Sequence, residues 1–212
     1  LEEMSRLAAA GRLTSIPPTL HDLLAERIDR LGEARYTAQL AATLGREFDL
    51  GLLARVHPGP QATLDAHLEN LRQAGLTEPR DAASQQFRHA LIQEAAYQSQ
   101  PRPALQAAHR RVAEILQRDC ADEVAVHPEL LARHLSASGA VREAIPWWTR
   151  AGQRAARYSA HAEAIGHFNQ GLALLATLPA LLPADPERDA LEFNILVHLC
   201  PTLYAAAGYG SE

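Results

Sequence analysis

The stretch 87–99, "FRHALIQEAAYQS", holds the histidine best placed to do chemistry. Residues Ser84 to Arg88 are polar and alternating, which predicts a short strand. A helix follows, with Leu91, Ala95 and Tyr97 expected inward. His89 stands at the joint, where a change of backbone direction aims its side chain toward an interdomain cleft. An imidazole N–H there can be donated to an anionic oxygen. A plainer use, which the residues alone favour, is a helix-start residue that bonds a nearby backbone group.

The other reactive side chains form no recognisable site. Cys120 and Cys200 make no CxxC and no metal spacing, so free thiols in a reducing cytoplasm are expected. His127 and His134 are seven residues apart and could share a helix face, yet no HExxH or Cys/His cluster accompanies them. There is no GxxxxGK[ST], no nucleophile elbow and no carboxylate pair in a site-like context, so no catalytic and no metal-ligating residue is assigned. Glu2-Glu3 and Asp185/Glu187 read as helix-start or solvated charges. Trp147 and Trp148 offer either a peptide-binding wall, or one core tryptophan and one interface tryptophan. Arg110-Arg111 and Arg150, Arg154 and Arg157 read as a solvated helix face.

The elements that must position these residues follow from composition and punctuation. The 212 residues are 47% hydrophobic and only 5% aromatic, a globular balance suited to helices packed through small side chains. All 20 basic side chains are arginine, and the net charge of −5 argues against a chain whose main task is gripping phosphate backbones. No apolar run reaches membrane-spanning length. The opening "LEEMSRLAAAG" and the closing "AAAGYGSE" fit a piece of a longer protein.

Residues 2–10 read as the end of a helix closed by Gly11. After the linker "RLTSIPP", Thr19 with Asp22 resembles a capping box, and Leu20, Leu23, Leu24, Ile28 and Leu31 form a helical stripe. Helices are predicted over about 33–44, 49–56 and 61–74, punctuated by Gly45, Pro58 and Gly75. "LTEP" and "SQQFR" then read as a small hairpin around "RDAA". Three helices and a hairpin is the order of a winged helix. From Pro103 the pattern is helical: about 104–119, 127–138, 142–157, 160–177 and 187–206, with "DCADEV" among the turns. Trp148, Ala151, Gly152, Ala155, Ala164, Phe168, Gly171 and Pro179 follow the spacing of a tetratricopeptide (TPR) repeat of ~34 residues.

"IPPTLHDLLAERIDRLG", "AATLGREFDLGLLARV", "LENLRQAGL", "FRHALIQEAAYQS", "PELLARHLSASG" and "AIPWWTRAGQRA" occur in an order that resembles the region after the nucleotide-binding domain of bacterial STAND-class signalling ATPases. These AAA-like P-loop proteins are commonly fused to adenylate/guanylate cyclase, kinase or transcription-regulator domains. The resemblance implies a mainly α fold with 1–31 as the end of the ATPase lid and a linker helix. Residues 32–103 would be a winged-helix domain with a small β-hairpin, and 104–212 an α-helical TPR-like solenoid. It implies that Leu1-Glu2-Glu3-Met4 closes the ATPase core, with the P-loop upstream. It also implies that His89 contacts a phosphate of ADP, as the histidine of a Met-His-Asp-like motif does. Here the Asp position holds Ala90.

The implied role is non-catalytic: a cytoplasmic regulatory segment that couples ADP/ATP state to ligand or partner binding on the repeats. ATP/ADP with Mg would belong to the parent protein, with none held by this chain alone. The expected partners are the upstream P-loop domain in cis and a protein or small-molecule inducer, with no membrane. Direct nucleic-acid binding is not expected, since the third helix carries Asp65 and Glu69 against a single Arg72. The competing reading is a TPR-type protein-binding scaffold without nucleotide coupling.

Overall fold

Proline and glycine punctuation sets most element ends. The computed structural model describes residues 18–178 and 185–208, in two compact units that divide between Arg102 and Pro103. The protein is mainly α, with one small three-stranded antiparallel sheet. The readings for 1–17, including the helix over 2–10, lie outside the described residues, as does Pro179.

In the first unit α1 spans Pro18–Asp29. It begins one residue before Thr19, so Thr19 is not its cap; proline suits the first helical position because its missing N–H has no partner to lose there. Of the expected stripe, Ile28 and Leu31 are buried while Leu23 is exposed. Helix α2, Ala34–Leu44, buries Ala34, Thr37, Ala38 and Ala41 at i, i+3, i+4, i+7 spacing and ends at Gly45. Strand β1, Glu47–Asp49, was not foreseen. Only Phe48 of its three residues is buried, too brief a pattern to register as alternation. Asp49 then caps α3, Leu50–Val56, accepting from the Leu52 N–H at 2.7 Å. Pro58 holds His57 extended and stops α3.

Helix α4, Gln61–Gln73, buries Leu64, Leu68 and Leu71. Gly75, at φ +65°, supplies the left-handed turn into β2, Thr77–Pro79. An Asx-type turn, with the Ala83 and Ser84 N–H groups donating to Asp81, leads into β3, Ser84–Phe87. β3 is the central strand, antiparallel to both neighbours, in the order β1-β3-β2. Phe87 lies opposite Thr77 and tilts against Phe48 at 5.6 Å between ring centroids. Helix α5, Ala90–Gln98, buries Ala95 as expected, but Ile92 and Ala96 are buried in place of Leu91 and Tyr97, which are half-buried.

Thr77 is fully buried, and its hydroxyl has no partner among the described residues. Thr77→Val keeps the shape and removes the desolvated hydroxyl, so it should stabilise the first unit by about 1 kcal/mol. Denaturant unfolding followed by amide exchange at β2 and β3 measures this. No gain would mean that a buried water satisfies the hydroxyl.

The second unit is all helical: α6 Arg102–Asp119, α7 Ala121–Val126, α8 Pro128–Ala137, α9 Val141–Arg157, α10 His161–Thr177 and α11 Pro186–Ala206. The segment expected as the turn "DCADEV" overlaps the start of α7, whose Val124 is buried. Its core gathers Ile145, Phe168, Leu175, Ile195 and Leu199 from α9, α10 and α11. Trp148 is buried, and its indole N–H donates to the Ser136 hydroxyl at 3.0 Å.

Candidate functional site

His89 is held by the chain on both sides of it. Phe87, fully buried, fixes the end of β3, and its N–H donates to Arg46 O at 2.9 Å. Arg88 donates its N–H to Leu76 O at 3.0 Å and pairs loosely with Glu78 at 3.6 Å. His89 is extended, at φ −135° and ψ 141°, and occupies the N-cap position of α5. Its carbonyl accepts the Ile92 N–H, but its side chain makes no capping bond. His89 and Ala90 are both exposed. The imidazole is thus carried outward on a well-fixed backbone.

Three other polar clusters are assembled by the fold. In the first unit, Thr37 Oγ1 lies 3.2 Å from His57 Nε2 and 2.8 Å from His67 Nδ1. The Gly59 N–H donates to His57 Nδ1 at 3.1 Å, which places the His57 proton on Nε2. His57 then donates to Thr37, and Thr37 donates to His67. The chain of donors leaves His67 Nε2 with the proton, at the edge of a cleft shared with Thr63 and Asn70.

In the second unit, His109 and His134 meet through their Nδ1 atoms at 2.9 Å, one donating and the other accepting. Both are buried. Desolvation, reinforced by Arg133, lowers the pKa of His109 to about 4. Desolvation, then His109 and Arg133, lowers that of His134 to about 3. The pair is therefore neutral, and its role is packing with satisfied polarity. His127 does not join it. That residue precedes the first turn of α8, is exposed, and bonds Glu129 at 3.0 Å. No group of three or more His, Cys, Asp or Glu side chains gathers in metal-binding geometry among the described residues.

The third cluster is a cleft of about 460 Å³ lined by α9 on one side and by residues of α6, α7 and α8 on the other. Half-buried Trp147 and the α9 arginines 150, 154 and 157 face it, with Gln117 and Gln153. The Arg150 guanidinium lies 4.3 Å over the Trp147 ring, and Arg154 lies 5.0 Å over Tyr158. The arginines expected on a solvated face therefore border a concave surface.

On α4, Arg72 is bound by both carboxylate oxygens of Glu69, at 2.8 and 2.7 Å. The shared hydrogen bonds hold the Glu69 carboxyl below its usual range. No described helix is long and apolar enough to cross a membrane.

Over 195 residues the chain is 31% identical to an uncharacterized protein of Rhizobium meliloti (strain 1021). The match covers 90% of this chain but only 18% of that protein's length. No protein-family model matches the chain, and no solved structure matches it.

Proposed function

We propose that this chain is a regulatory segment of a STAND-class signal-transduction ATPase. Its first unit is a winged helix that senses the nucleotide held by an upstream P-loop domain. Its second unit is a TPR-like array that receives a ligand or partner. One observation supports the reading. The element order α2-β1-α3-α4-β2-β3, with strand order β1-β3-β2, fits the order expected of a winged helix, and His89 projects uncapped from its final joint. The matched relative is much longer than the region it shares with this chain, as a parent protein with further domains would be.

The chemistry is a hydrogen bond from the His89 imidazole to a phosphate oxygen of ADP, stronger than a neutral one because the acceptor is ionised. Loss of that contact frees the winged helix to move, a two-state switch biased by the nucleotide. Ala90, where related proteins carry Asp, leaves His89 as the main contact.

The test uses the full-length parent protein. Its bound nucleotide is released by denaturation and identified by chromatography, for wild type and His89→Ala. ADP in the wild type and at least tenfold less in the variant, a loss of about 1.4 kcal/mol or more, is the expected result. Equal ADP in both would reduce His89 to a structural residue. No nucleotide in either, with flat ADP and ATP titrations, would favour the scaffold reading.

A further inference from the structure

Charge along α9 is unevenly matched. Glu143 in its first turn pairs with Arg110, at 2.8 Å. Arg142 holds both Asp185 and Glu187, at 2.9 and 3.0 Å. Farther along, Arg150, Arg154 and Arg157 have no carboxylate partner among the described residues. The acidic groups of the neighbouring cleft, Glu129 and Glu163, each face a histidine, His127 and His167. Arg154 and Arg157 suit the negative end of the helix, where cations are favoured within the last turn. Arg150 lies outside that turn and gains nothing from it.

The cleft itself has the make-up of a small-molecule site. Three of its lining residues are arginines and none is acidic. Val124 and Pro128, both buried, and the Trp147 ring provide apolar wall. Its volume falls in the range of ligand pockets, which are mostly apolar with a few convergent polar groups. The Arg150 guanidinium is already oriented by stacking on Trp147, so little side-chain freedom is lost when its N–H fork meets an anion.

We propose that the cleft beside Trp147, Arg150 and Arg154 binds a small anionic ligand with an apolar or aromatic body. Its carboxylate or phosphate engages Arg150 and Arg154, and its body lies against Trp147 and Val124. As the identity of a signal, this rests on the reading of the second unit as a receiver. As binding, it does not depend on nucleotide coupling.

Isothermal titration of the 212-residue chain tests it with three probes that share one ring system. They are 2-naphthoate, 2-naphthyl phosphate and the uncharged 2-naphthalenemethanol. At least one anion should bind at one site per chain, weaken with added salt, and bind roughly tenfold or more tighter than the alcohol. Which anion binds tells carboxylate from phosphate chemistry. The double variant Arg150→Gln with Arg154→Gln should lose roughly tenfold or more in affinity, with an unchanged melting temperature, because both side chains reach solvent. Trp147→Ala should weaken whichever anion binds. Equal binding of the alcohol, or no effect of the arginine changes, would overturn the anion site. No binding of any probe would overturn the proposal outright. Binding of an oligoglutamate peptide but of neither naphthyl anion would replace it with an acidic-peptide groove. None of these outcomes alters the nucleotide content of the parent protein, so the two readings fail separately.

Discussion

Gly152→Ala is expected to destabilise the helical unit by about 2 kcal/mol or more, and Gly152→Val by more. Gly152 is buried in the middle of α9 and faces Phe168 of α10. A Cβ built there would lie 2.5 to 2.7 Å from three carbons of the Phe168 ring. Such contacts are far inside the ordinary 3.5–4.0 Å carbon separation of about optimal packing. The ring cannot step aside, since Phe168 is fully buried and belongs to the central cluster with Ile145, Ile195 and Leu199. Helix propensity acts the other way and favours alanine over glycine by about 1 kcal/mol. The clash wins because relieving it means separating two helices that share the unit's core. Both tryptophans of the chain, Trp147 and Trp148, lie on α9, so their fluorescence follows unfolding of this unit alone. Phe168→Leu should cost stability in the wild type but much less beside Gly152→Ala, a coupling that a double-mutant cycle reads directly. A Gly152→Ala variant as stable as wild type would mean that α9 and α10 are not in this contact.

The second large effect is acid sensitivity of the same unit. His109 and His134 have folded-state pKa values lowered to about 4 and about 3. In an unfolded chain a histidine titrates near 6.5, at roughly its ordinary value. Below that pH the unfolded state binds more protons than the folded one, so stability falls as pH falls. The loss starts near the unfolded value and continues down through the folded values. Each histidine kept neutral costs up to about 1.4 kcal/mol per pH unit in that window, or close to 3 kcal/mol by two units below 6.5. Above pH 7 the pair contributes no slope. The lowered carboxyl of Asp185, held chiefly by its hydrogen bond from Arg142, adds a loss of the same sign at lower pH.

Tryptophan-monitored denaturation at a series of pH values should therefore show a midpoint flat above pH 7 and falling between about 6.5 and 4. Replacing both histidines with leucine removes the buried hydrogen bond and the titrating groups together, and should flatten that stretch of the profile. An unchanged slope in the double variant would assign the acid sensitivity to other groups.

Local signals determined what is local in this protein. Helix bounds fall near their punctuation. Gly45 ends α2, His57 before Pro58 ends α3, and Gly75 follows α4. The strand at Ser84–Phe87 and its turn were legible from alternation and from Asp81. The repeat-like spacing set Gly152 and Phe168 in one packing pattern, and the structure brings them face to face. The joint at His89 was legible too, because a strand pattern gives way to a helical one at that residue.

Tertiary structure decided the rest. β1 has three residues and exists because β3 pairs with it; Glu47 lies opposite Gln86, farther along the chain than any local window spans. Whether Leu91 or Ile92 turns inward depends on a rotation of α5 of one residue, set by the neighbours it packs against and not by its own periodicity. His109 and His134 come from different helices, and the spacing of His134 points to His127 instead; only packing of α6 against α8 makes them a buried pair. The three arginines of α9 look the same in sequence whether they face water or a cleft. Charge periodicity fixes which side of a helix is polar, but a concave surface exists only when a second element closes over that side.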